Sequence, residues 1–311
     1  MSSNVMILPL FVFIALSCAG QQKVKNVPVK QSGGRYVIRA GAMEMEADPA
    51  IGGRITSLKL DGKDFLTGSE VNDFNWGSTL WPSPQSEWDW PPPATLDNKP
   101  YTVVVEGDEL VMASEKDPKT GLSFTKRFSG NSKMGYFILK YVITNLNDTA
   151  RKVSAWEVTR VKTQGIAFFP VGKGDVRGGL IPMTMVKDGI CWFTYQSDKL
   201  PSKGDSQIYS DGSEGWFAQV NDGIMLVKRF PDIPFDKNAP AEGEVELYAN
   251  KTTPEKSYVE VEHQGAYELL APGSSSTWIM KWYLRKLPLG IKQEAGNKTL
   301  LKYARKLGQA K

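Results

Sequence analysis

Residues 136–145 read Tyr136-Phe-Ile-Leu-Lys-Tyr-Val-Ile-Thr-Asn145. Successive side chains of an extended chain point to opposite faces. Tyr136, Ile138, Lys140 and Val142 therefore share one face, and Phe137, Leu139, Tyr141 and Ile143 the other. One face is wholly apolar and the other mixed, as in a strand with one side on a core. The same reading recurs outward in both directions. Residues 35–39, 43–47 and 54–60 are strands, and the Asp61-Gly62 turn joins 54–60 to 63–66 as a hairpin. Residues 101–106, 109–114, 122–129, 152–161, 190–195, 215–220, 224–230, 244–249, 258–264 and 277–284 complete the set. Only about 292–307 favours helix. Many strands without helical crossovers predict an all-β chain of antiparallel sheets packed face to face. No repeat or linker divides it, so residues 33–290 are expected to form one sandwich and 291–311 a short helical tail.

The balance of the 311 residues is that of a globular protein, 41% hydrophobic and 23% charged. The net charge of +4 is scattered, and no basic patch points to a nucleic-acid partner. The apolar run 6–16, ending in Ser17-Cys18-Ala19-Gly20, is too short for a membrane span. It is similar to a bacterial lipoprotein signal, in which residues 1–17 are removed and Cys18 carries the lipid. Residues 18–32 then form a polar tether. The n-region lacks Lys and Arg, and Ala15 stands where leucine is commoner. No acidic run follows Cys18, which favours a periplasm-facing anchor over the cell surface. With Cys18 acylated, Cys191 has no disulfide partner. Its setting in Gly189-Ile-Cys-Trp-Phe193 is that of a buried strand residue.

Four of the nine tryptophans, Trp76, Trp81, Trp88 and Trp90, fall in residues 75–93, NWGSTLWPSPQSEWDWPPP. The prolines exclude a regular helix and argue against an interior strand. An irregular loop carrying Trp81, Gln85, Glu87, Trp88, Asp89 and Trp90 has the chemistry of a carbohydrate surface. Aromatic faces stack on the C–H faces of sugars, while carboxylates and amides bond hydroxyls. The alternative is that these rings plug one end of the sandwich.

Three ordered segments resemble the galactose mutarotase-like (aldose 1-epimerase-like) superfamily. They are Gly52-Gly-Arg-Ile-Thr-Ser-Leu58 before a hairpin, Tyr141-Val-Ile-Thr-Asn145-Leu-Asn-Asp148 before 153–159, and Val259-Glu-Val-Glu-His-Gln-Gly-Ala-Tyr267 before Leu270-Ala-Pro-Gly273. The likeness spans most of 35–285 and comes nearest to an uncharacterised bacterial lipoprotein branch. It implies a β-supersandwich, an open cleft on one sheet face and a carbohydrate ligand.

Epimerases of this superfamily open a sugar ring with a base at the anomeric hydroxyl and an acid at the ring oxygen. The resemblance assigns the base to Glu262, with Glu260 as rival on the same face. The family's acid is a histidine, yet the one histidine here, His263, adjoins Glu262 and should face the other way. His263 therefore reads as structural. Glu157 lies near the expected acid position, with Arg160 close by. A Glu157–Glu262 pair suits acid/base epimerisation, glycoside cleavage, or a calcium ion. No other cofactor is implied. Lys228 and Asp232, flanking a strand end, are further candidates for hydroxyl contacts, or a plain salt bridge. A serine triad and a phosphate loop are excluded by context. Three classes of function stay open: a sugar-converting enzyme, a sugar-binding module that has lost its chemistry, and a scaffold lipoprotein.

Overall fold

The computed structural model describes Met1, residues 27–250 and residues 252–309. The signal segment, Cys18 and the tether as far as residue 26 lie outside the described residues.

Among the described residues two antiparallel sheets form, of eleven and ten strands. The first sheet runs Val29–Lys30, Tyr36–Ala40, Met43–Asp48, Arg54–Leu60, Ser78–Ser83, Arg151–Lys162, Tyr258–Gln264, Val245–Ala249, Gln207–Ser210. Lys63–Asp64 and Glu268–Leu270 pair beside this path. The second runs Thr184–Lys187, Ile190–Phe193, Ile166–Pro170, Trp216–Asn221, Ile224–Arg229, Ser275–Lys286, Tyr136–Asn145, Leu122–Asn131, Glu109–Ala113, Thr102–Glu106.

Tyr136–Asn145 occupies the expected span, and Phe137, Leu139, Tyr141 and Ile143 are all buried. They join one core with Leu80, Val153, Val161, Val259 and Val261 of the opposite sheet. The outer side of the second sheet is partly covered by the helix Lys298–Gly308. Asn297 caps this helix by accepting from the backbone N–H groups of Thr299 and Leu300. Leu300 and Ala304 pack on Trp216, Ala218, Met225 and Val227.

The tryptophan-rich stretch departs from expectation. Ser78–Ser83 is an interior strand with every residue buried, despite Pro82. Its pairing with Arg54–Leu60 is confined to Ile55 and Ser78, whereas the pairing with Arg151–Lys162 covers the whole strand. Ala155, opposite Pro82, sends its carbonyl to Gly265 on the far side, so no ladder bond is asked of Pro82 nitrogen. The Pro82 carbonyl instead accepts from Trp88 Nε1 at 2.7 Å. The short strands Ile166–Pro170, Thr184–Lys187 and Gln207–Ser210 also lacked a clear sequence signal, as did Val29–Lys30, which closes the sheet edge within the expected tether.

Candidate functional site

Arg151–Lys162 is flanked by Ser78–Ser83 and Tyr258–Gln264. The registers set Trp156 beside Trp81 and Gln264, Val158 beside Thr79 and Glu262, and Arg160 beside Glu260. One strand further, Glu246 lies beside Glu262 and Tyr248 beside Glu260. With a side-chain period of two, these residues all share the face turned away from the other sheet.

Over this face lies a cavity of about 340 Å³. Its walls are Trp81, Trp90, Trp156 and Tyr248, with Glu260, Glu262 and Gln207 among them and Asn75, Gln85 and Asp205 also in the lining. Trp81 is the hub of the aromatic cluster. Its ring meets Trp156, Trp90 and Trp88 edge to face at centroid separations of 5.4, 5.8 and 6.0 Å. Asp97 accepts from Trp81 Nε1 at 2.7 Å and pairs with Arg54 at 3.3 Å. Gly52 of the first family-like segment makes room for that support. At its φ of +71°, a Cβ would stand 2.0 Å from the Asp97 carbonyl oxygen.

Glu260 is paired with Arg160, whose Nε donates at 2.7 Å and whose guanidinium lies 4.8 Å from the Trp81 ring centroid. Glu262 has no such cation bound to it. Its Oε2 accepts from Trp156 Nε1 at 2.8 Å, and its Oε1 lies 3.5 Å from Gln207 Nε2. Burial, then the negative charges of Glu260 and Glu246, raise its pKa well above the usual carboxylate range. Glu246 is raised likewise, by burial and then by Glu242. It accepts from Gln207 Nε2 at 2.7 Å, Gly243 N at 2.8 Å and Gln264 Nε2 at 2.9 Å.

Glu157 is not in this cleft. It pairs in register with His263, and both point between the sheets. Lys228, from the opposite sheet, reaches Glu157 Oε2 at 2.5 Å and the Val261 carbonyl at 2.9 Å. Ser78 and Thr159 hydroxyls also bond Glu157. Burial pulls the Lys228 pKa down to about 8, with Glu157 opposing. His263 Nδ1 lies 3.2 Å from Glu157 Oε2, out of hydrogen-bond alignment, between the Phe230 and Trp278 rings. Burial, then Lys228, hold His263 neutral. The expected Glu157–Glu262 pair therefore does not form, because the register sets Glu157 beside His263, and His263 faces the opposite way from its neighbour Glu262. Neither a shared calcium ion nor two-carboxylate glycoside cleavage can use it. Among the described residues no group of three or more His, Cys, Asp or Glu is placed to hold a metal ion.

The other candidates divide. Trp81, Gln85 and Trp90 line the cavity, and Arg160 backs Trp81. Trp88 is buried, a plug rather than a wall. Glu87 turns to Arg151 at 2.5 Å and Tyr267 at 3.3 Å. Asp89 is exposed at a left-handed φ of +59° outside the lining. Lys228 is between the sheets, and Asp232 stands outside the cleft with its carboxyl raised by burial.

Residues 83–285 match the family model described as a domain of unknown function, DUF4380. The chain belongs to this family. Among curated proteins none matches it. Solved structures do. A galactose mutarotase-like protein from Lactobacillus casei superposes with a TM-score of 0.56 at 11% identity, covering 81% of this chain and 100% of its own. A candidate aldose 1-epimerase from Klebsiella pneumoniae gives 0.56 at 15% identity, over 88% and 84%. Another from Escherichia coli K12 gives 0.53 at 12% identity, over 81% and 99%. At such identities the likeness fixes the fold, which is the galactose mutarotase-like β-supersandwich.

In this DUF4380 chain sequence reasoning missed Trp156, Gln207, Tyr248 and Asp205 as lining residues. A signal existed for Tyr248. In Val245-Glu-Leu-Tyr-Ala249, Glu246 and Tyr248 share the face opposite the apolar core residues. No local pattern marked Gln207 and Asp205, which come from a short edge strand and its preceding loop.

Proposed function

We propose that this protein binds a carbohydrate in the tryptophan-walled cleft and exchanges protons with it through Glu262. The carrying observation is a buried carboxyl without a bound cation, bonded to Trp156 and lining the same cavity as Trp81 and Trp90. Trp90 is 52% exposed, so an aromatic surface is free for a ligand to cover. Tyr248, Gln207, Asn75 and Gln85 supply hydroxyl and amide partners. The printed descriptions of the structural relatives as mutarotase-like or epimerase-like support a sugar as the ligand.

Opening a sugar ring needs a proton delivered to the ring oxygen and one removed from the anomeric hydroxyl. A Glu262 that keeps its proton is suited to delivery, which reverses the base role first expected of it. Removal falls to Asp205, an exposed carboxylate of the same cavity. Closing the ring on the other face of the carbonyl returns both protons, and the anomer is exchanged.

The test is NMR of the full chain in detergent with mono- and disaccharides, recording saturation transfer and anomer exchange together. The expected result is exchange above the buffer rate, lost in Glu262→Gln while saturation transfer persists. Unchanged exchange in that variant removes Glu262 from the chemistry. A second reading, binding without conversion, is favoured by the sequestration of Glu157 and His263 between the sheets. Saturation transfer without exchange in the wild type selects it.

The proposal includes an anchor. The apolar run 6–16 followed by Ser17-Cys18 supports export and acylation at Cys18, with the cleft facing the periplasm. Mass spectrometry of the mature N-terminus checks it. A chain that begins at Met1, without lipid, refutes it.

A further inference from the structure

A second cavity, of about 430 Å³, lies on the same sheet face as the first. Gln207 lines the first cavity. Tyr209, two residues along the same edge strand, lines the second. Residues two apart on a strand share a face. The cavities meet where Glu242, in the second, accepts from the backbone N–H of Gln85, in the first, at 2.9 Å. Each cavity is within the range of roughly 300–1,000 Å³ that small ligands fill.

The second lining repeats the chemistry of the first. Phe235 is 51% exposed, an uncovered aromatic face. The chain at Gly174 runs close beside that ring, where a Cβ would lie 3.6 Å from Phe235 Cε2. Tyr209 is held by the Arg177 guanidinium, 4.3 Å from its ring centroid. Asn238 bonds Asp211 through Nδ2 at 3.4 Å, while its buried Oδ1 has no partner. Burying an acceptor without a donor is unfavourable, so this atom is poised for a ligand donor. The cations Lys173 and Arg177 stand among Asp175, Asp211 and Glu242, so neither sign prevails. An exposed ring with donors and acceptors and no dominant charge suits a ring of hydroxyls better than an anion or a cation.

We propose that this cavity is a second glycosyl subsite, so the ligand is a neutral oligosaccharide of at least two units laid along Gln207–Ser210 from Trp90 to Phe235. This rests on the reading that the first cavity holds a sugar.

Calorimetric titration of the full chain in detergent, with neutral glucose and galactose oligomers of one to three units (maltose, cellobiose and β-1,4-galactobiose series), tests it. In the series that binds, affinity is expected to rise roughly tenfold from one unit to two. Phe235→Ala should remove that gain and leave the monosaccharide affinity unchanged, since its ring is largely exposed and outside the first cavity. Trp90→Ala should weaken every length alike. Equal affinity at all lengths overturns the subsite and leaves the first cleft standing. A gain that survives Phe235→Ala overturns its placement. Failure of every length, the monosaccharides included, overturns the sugar reading itself.

Discussion

Val158 and Glu157 are chain neighbours, yet Val158 pairs with Glu262 on the cleft side of the sheet while Glu157 pairs with His263 on the core side. The one-residue offset separates two carboxylates that the sequence brings together. It leaves Glu262 as a cleft carboxyl and makes Glu157 one end of a bridge between the sheets.

The protonation of Glu262 gives proton exchange a direction in pH. Burial, with Glu260 and Glu246, raises its pKa, so the protonated form persists above the ordinary carboxylate range. Exchange that depends on this proton and on an ionised Asp205 should rise with pH as Asp205 ionises, its carboxyl pKa raised by burial, and fall as pH rises further through the raised pKa of Glu262. Glu262→Gln should show little exchange and no such fall. A rate that climbs steadily with pH in the wild type would contradict the assignment.

Trp88 and Trp90 should separate in their effects. Trp90→Ala removes an exposed ring at the cavity and should weaken ligand binding by about 1–3 kcal/mol, with little change in Tm. Trp88→Ala empties a buried site and should cost about 3–5 kcal/mol of stability. Fluorescence titration and thermal melts of both variants check this together.

The Lys228–Glu157 bridge is wholly buried, and removing one end leaves the other without its partner. Lys228→Met and Glu157→Gln should each cost about 3–5 kcal/mol. The double variant should cost less than the sum of the two. Denaturant midpoints in a double-mutant cycle measure this, and additive losses would show that the pair does not act as a unit.

Lys126 should make stability rise with pH. It is buried at the Tyr101 ring, its Nζ 5.5 Å from the centroid, and burial lowers its pKa from 10.5 to about 7. Between those values the unfolded chain binds more protons than the folded one, so unfolding becomes harder as pH rises. Below pH 7 the buried charge costs its full amount. Lys126→Met should flatten this dependence and stabilise the protein at pH 6 by about 1–4 kcal/mol. Melts at pH 6 and pH 9 decide it.

Strands such as Tyr136–Asn145 and Tyr258–Gln264 were legible because alternation is a local property, written into five to ten consecutive residues. Ser78–Ser83 was not. Pro82 argues against an interior strand, and only the tertiary pairing, full with Arg151–Lys162 but confined to Ile55 and Ser78 on the Arg54–Leu60 side, shows that one side of it needs few ladder bonds. The tryptophan stretch is unusual in sequence, but its members divide between wall and plug. Trp81 and Trp90 face the cavity, and Trp88 turns inward to the Pro82 carbonyl.

The sequence by itself determined an antiparallel β-sandwich with a short C-terminal helix, because side-chain period and turn chemistry act over a few residues. It also determined that Glu262 and His263 point apart. Only the tertiary structure decided which strands lie side by side, and with that which face carries the cleft. Cross-strand register brings Trp81, Trp156, Glu262 and Tyr248 together from four strands, of which only those of Tyr248 and Glu262 are consecutive in the chain. Burial, rather than residue type, raises the pKa of Glu262, and the ion pair with Glu157 holds Lys228 in the core against the cost of burying its charge.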